Sequence, residues 1–230
     1  MKDKIDNLFN MLKELGPECA YEKICEFNDE ERQEYNRLLD IFKKTNASNS
    51  TNKEKCEALE NLATYTISTT HVFEVYKNIR TSTNELDQLV RIKDNQRHLV
   101  GFNIIDERLE NFIGECKNYK GKVPVTYVGK ICGLLVTTQN KICILFSYSG
   151  VTGRGWEESC GLIKKFYLAK ENPIERYCII DFNIKDFENI AQGGNFLQII
   201  TDKILALKND TDYSNFLSEH EASQKIMQNN

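Results

Sequence analysis

The chain has 230 residues, 40% hydrophobic and 28% charged, with twelve Phe, ten Tyr and three Pro. Those values fit one packed medium domain, or a domain with an appendage, and argue against a disordered chain. The formal net charge of −4 counts against a broadly basic nucleic-acid binder and leaves local clusters to decide.

No apolar run nears the roughly 18 residues of a membrane-spanning helix. Met1 to Leu12 is charged and lacks the apolar core of a signal peptide. Eight Cys are scattered from Cys19 to Cys178, none as Cys-x-x-Cys, and only three His are present. A structural zinc site has little support, and reduced thiols in a cytoplasmic protein are expected. Residues 1–60 hold ten Lys or Arg against fourteen Asp or Glu, whereas Lys117 to Lys130 carries four Lys and no acid.

Along the chain, Ile5, Leu8, Phe9, Leu12 and Leu15 recur at helical spacing until Gly16-Pro17 breaks the helix. A second helical run places Tyr35, Leu38, Leu39 and Phe42 on one face. Thr45 to Asn52 is small and polar, which predicts a loop and a boundary between an N-terminal helical segment, 1–50, and a main domain, 53–210. A helix over about 53–66 follows. Alternation over 72–76 and 85–92 predicts two strands joined by a turn at Thr81–Asn84, and Phe112–Lys117 a third. Pro124 opens a helix to about Thr137. Lys141–Ser147 is nearly all apolar and predicts a central strand. A helix over 156–170, a strand over 177–181 and helices over 184–192 and 195–207 complete the domain, with a polar tail at 211–230. The order predicts an α/β fold with a mixed central sheet, antiparallel first and parallel later, flanked by helices.

The chemically informative segment is Glu115-Cys116-Lys117. Residues two apart on a strand share a face, so Glu115 and Lys117 project together. Such a pair suits a polar site better than a core. Of the 34 acidic residues, Glu115 alone is followed by Lys at the second position. Asp87 sits between Leu86 and Leu89 in an otherwise apolar strand. If the second and third strands are neighbours, Asp87 and Glu115 approach one metal, and Mg²⁺ suits a few carboxylates plus waters. The competing reading is that Asp87 caps a turn and that Glu115 and Lys117 form a surface ion pair; spacing alone does not separate the two.

Asp87 followed by Glu115-x-Lys117 on the next strand resembles the signature of the PD-(D/E)xK nuclease superfamily. Glu-Cys-Lys-Asn-Tyr followed by Pro124-Val125 is similar to its Mrr-like restriction endonuclease branch in particular. The resemblance spans about residues 53–181, and lacks the Pro that often precedes the first acid. It implies a restriction-endonuclease-like core and a metal-dependent endonuclease hydrolysing DNA, in restriction or defence. Asp87 and Glu115 would ligate Mg²⁺, or Mn²⁺ in its place, with the backbone carbonyl of Cys116 as a further ligand. Lys117 would orient the attacking water, and Glu60 on the preceding helix occupies the place of an additional acid. The alternative for Glu60 is a solvated helical residue.

Two basic features fit a DNA partner. Lys120, Lys122 and Lys130 follow the site and can track a phosphate backbone, although a solvated loop explains the first two nearly as well. Gly150, Gly153, Arg154 and Gly155 lie between a strand and a helix, where backbone N–H groups and a guanidinium can meet a phosphate. A tight glycine turn is the plainer explanation. Cutting both strands needs two sites, so a homodimer is expected. The N-terminal helices are candidates for binding a regulatory protein. A non-catalytic nucleic-acid-binding or regulatory module that kept the nuclease fold is the alternative.

Overall fold

A computed structural model describes residues 17–80 and 85–210. The expected helix before Gly16, the turn at 81–84 and the tail at 211–230 lie outside the described residues. Pro17 opens helix α1 (Pro17–Ile24), the first-turn position where its fixed φ and missing N–H cost least. Helix α2 (Asp29–Ala47) starts at an Asn28 and Glu31 capping box, and α3 (Asn52–Ser68) at a Thr51 and Glu54 one. Both boxes satisfy backbone N–H groups that the first helical turn leaves without partners.

The loop expected from Thr45 begins three residues later, at Ser48. Thr45 Oγ1 and Asn46 Nδ2 bond back to the Phe42 carbonyl at 3.0 and 2.8 Å, which continues the helix through polar residues. The expected boundary thus falls in a short connection, and α2 and α3 pack together. Tyr35, Leu39 and Phe42 of α2 belong to the same hydrophobic cluster as Leu59, Ile144 and Phe182. The described part of the N-terminal segment therefore shares its core with the main domain.

Five strands form one sheet in chain order: β1 (Phe73–Arg80), β2 (Glu85–Ile92), β3 (Asn111–Lys117), β4 (Ile142–Ser147) and β5 (Cys178–Phe182). The first three are antiparallel and the last three parallel. A one-turn helix α4 (His98–Gly101) lies between β2 and β3. Helices α5 (Val125–Thr138) and α6 (Glu158–Leu168) are the crossovers that connect the parallel strands. Helices α7 (Ile184–Ala191) and α8 (Phe196–Asn209) end the described fold.

All of β4 is buried. Ile142, Ile144 and Phe146 face the cluster built with α2, α3, α7 and α8. Cys143 and Leu145 face the other, with Val128, Ile131 and Leu135 of α5. Each large apolar side chain so buried contributes about 1.5–3 kcal/mol. No helix of the described residues is long and apolar enough to cross a membrane.

Candidate active site

The strand pairing brings the predicted residues together. Leu89 pairs with Ile113 and Gln88 with Gly114, so Asp87 stands opposite Glu115. Gly114 makes the close approach possible: a Cβ there would lie 2.5 Å from Gln88 Oε1. On the other edge of β2, Lys77 pairs with Gln88 and Ile79 with Leu86, while the intervening Asn78 and Asp87 form no pair. Asn78 is left-handed, with φ of 52°, a conformation Asn tolerates better than most residues. The ladder opens there, and the Asp87 N–H turns to Glu115 Oε1 at 3.5 Å.

Lys117 Nζ donates to Asp87 Oδ2 at 2.7 Å and lies 3.4 Å from Glu115 Oε2. The Cys116 N–H donates to the same Asp87 oxygen at 2.8 Å. Asp87 therefore does not cap a turn, and the three charged side chains form one cluster at the carboxyl end of β3. Asp87 and Lys117 are half-buried and Glu115 is buried. The Cys116 side chain points to the opposite face, into the core.

Glu60, one helix away on α3, is half-buried rather than solvated. Burial, and then the Asp87 carboxylate, push its pKa up. Burial likewise raises Glu115, with Asp87 adding to it and Lys117 opposing it. Burial works against the Lys117 charge, but Asp87, Tyr127 and Glu115 outweigh it and hold the ammonium above its usual range.

Tyr127 is the site residue that the sequence reading missed. It stands in the first turn of α5 and its hydroxyl donates to Glu115 Oε2 at 2.6 Å. Lys117 Nζ lies 5.1 Å from its ring centroid, close enough for a cation–π attraction. Burial and the Glu115 charge raise its pKa, which keeps it a donor. A helical Tyr twelve residues after an acid carries no spacing signal; only the packing of α5 on β3 reveals it.

The basic residues are placed less centrally. Lys120 and Lys122 are exposed in the segment after β3, and Lys130 is exposed in the second turn of α5. Arg154 is exposed in the loop between β4 and α6. That loop meets the Lys122 segment through a parallel bridge of Val123 with Val151.

Among the described residues no three His, Cys, Asp or Glu side chains are grouped to hold a metal. The cluster offers two carboxylates, and Asp87 Oδ1 accepts no hydrogen bond from the described residues. An open carboxylate oxygen beside a second carboxylate fits a hard divalent cation that retains waters. Comparisons with family models, curated proteins and solved structures gave no match to this chain.

Proposed function

We propose that the protein is a metal-dependent endonuclease that hydrolyses DNA phosphodiester bonds, on a restriction-endonuclease-like core of the PD-(D/E)xK type. The observation that carries this reading is the contact of Lys117 with both Asp87 and Glu115 at one strand end. Asp87, Glu115 and the Cys116 carbonyl would hold Mg²⁺ or Mn²⁺, and Glu60 faces the same cluster. When bound, the cation supplies positive charge against the phosphate and acidifies a water molecule.

The chain's own groups do the rest. Lys117, held protonated by its neighbours, meets the charge that develops on the phosphate. Tyr127 donates to the Glu115 oxygen that Lys117 also approaches, and so holds the carboxylate in the cluster. Lys120, Lys122 and Arg154 extend a positive surface along which a nucleic-acid backbone lies. The reading places the enzyme in the cytoplasm, acting in restriction or defence, as a homodimer where both strands are cut. A regulatory partner is assigned to the N-terminal helices.

A plasmid-nicking assay with Mg²⁺ tests it, comparing the wild type with Asp87→Ala and Lys117→Ala. Cutting that needs the metal and disappears in both variants is the expected result. Cutting at full rate by either folded variant sinks the assignment. A wild type that cuts nothing returns the fold to the non-catalytic binding reading.

A further inference from the structure

Asp181 is a half-buried carboxylate that the proposed chemistry leaves unused. It is next to last in β5, in register with Leu145 of β4, which is in turn in register with Glu115. Two strand spacings put it roughly 10 Å from Glu115 along the sheet. Its Oδ2 accepts the Val151 N–H at 3.3 Å. Its Oδ1 is buried with no partner among the described residues. Burial pushes this carboxyl up, against the nearby Lys203. A buried polar atom without a partner costs stability and asks for an explanation.

The other oxygen, Oδ2, is where the carboxylate meets the loop. Gly150, with φ of 72°, packs on it so closely that a Cβ would lie 2.8 Å from Oδ2. The Gly150 carbonyl accepts the Val123 N–H at 2.8 Å, and the Val123 carbonyl accepts the Thr152 N–H at 3.0 Å. Ser159 Oγ donates to the same Val123 carbonyl at 3.0 Å. Val123 directly follows Lys122, and Thr152 precedes Arg154 by two residues. Two basic loops from different crossovers are thus laced together on the backbone that Asp181 holds.

We propose that Asp181 is a positioning residue for substrate binding: by fixing Gly150 and Val151 it sets the loops of Lys120, Lys122 and Arg154 as one track for a DNA phosphate backbone. This rests on the nuclease reading for its ligand. The contact runs through one oxygen to the Val151 amide, so the carboxylate acts on the loop backbone and not on the phosphate itself.

The test pairs a structural readout with a binding one. Amide hydrogen exchange is followed at Val123, Val151 and Thr152. Binding of a labelled DNA duplex is measured by anisotropy, with Ca²⁺ replacing Mg²⁺ to prevent cutting. Asp181→Ala is expected to speed exchange at these amides and raise the Kd by about tenfold. Asp181→Asn keeps an acceptor for the Val151 N–H and is expected to bind like the wild type. Faster exchange with an unchanged Kd overturns the proposal and leaves the nuclease reading standing. Equal weakening by Asn and Ala also overturns it. A wild type that does not bind the duplex overturns the nuclease reading, and the proposal with it. If Asp181→Ala does not fold, Gly150→Ala replaces it; wild-type Kd in that variant overturns the proposal.

Discussion

Two clusters of two carboxylates and one lysine stand at the same end of the sheet. Asp87, Glu115 and Lys117 gather at the end of β3; Asp181, Asp186 and Lys203 gather at the end of β5. In the second, Lys203 Nζ donates to Asp186 Oδ2 at 2.6 Å and also to the Asp181 carbonyl. Asp186 Oδ2 additionally accepts the Asn183 N–H at 2.7 Å, closing the capping box of α7. The side chains of Asp186 and Lys203 are 2% and 10% exposed, against 22% and 23% for Asp87 and Lys117. Both hold two acids and one lysine, and the surroundings differ. A sealed cluster spends its charge on holding α7 and α8, whereas an open one has charge that a ligand can reach.

That contrast is best attacked with variants of both clusters. Lys117→Ala is expected to lower the cleavage rate by ~10²–10³-fold, the scale of losing one group that meets transition-state charge. Its melting temperature should remain near that of the wild type. Asp186→Ala should do the reverse. Removing one partner of a buried pair costs about 3–5 kcal/mol. For a protein of this size that lowers Tm by roughly 6–20 °C, readable by differential scanning calorimetry, with little change in the specific activity of the folded fraction. Activity loss in Asp186→Ala without a fall in Tm would erase the distinction between the clusters.

Two smaller effects sharpen it. Tyr127→Phe removes a hydrogen bond to a charged carboxylate, worth about 1.5 kcal/mol, and should lower kcat roughly tenfold. On the nuclease reading, Glu115→Gln should abolish cleavage, and it should stabilise the fold. Burial and Asp87 raise the Glu115 pKa above its unfolded value. The folded protein then binds that proton more tightly than the unfolded chain, and wild-type stability falls as pH rises through the window between the two values. The Tm advantage of Glu115→Gln should be absent at acid pH and open as pH rises, reaching roughly 2–4 °C if the effect is about 1 kcal/mol. A constant difference at all pH values would reject burial as the cause.

The two clusters also differ in how legible they were. Glu115 and Lys117 share a strand, so period-two spacing placed them on one face, and the strand order then brought Asp87 opposite. Each of those steps is local or follows from one pairing. The five strands and the change from antiparallel to parallel pairing were likewise readable, because apolar alternation and connection length encode them. Tyr127 was not readable, since its bond to Glu115 depends on how α5 settles on the sheet. The Lys203 cluster was not readable either: Asp186 and Lys203 come from separate helices, with no pattern linking them. Thr45–Ala47 was read as loop because composition predicts solvent preference, and composition does not report the bonds back to the Phe42 carbonyl.

The hydroxyl of Tyr35 donates to the Phe187 carbonyl at 2.9 Å, across a sequence separation of 152 residues. That of Tyr21 reaches the Ile104 carbonyl at 2.7 Å. During translation at about 5–20 residues per second, Tyr35 of α2 therefore waits roughly 8–30 s for its partner and Tyr21 of α1 roughly 4–17 s. Over that interval the nascent chain presents Tyr35, Leu39 and Phe42 to whatever surrounds the ribosome. Among the described residues, the later helices α7 and α8 close the core that α2 begins.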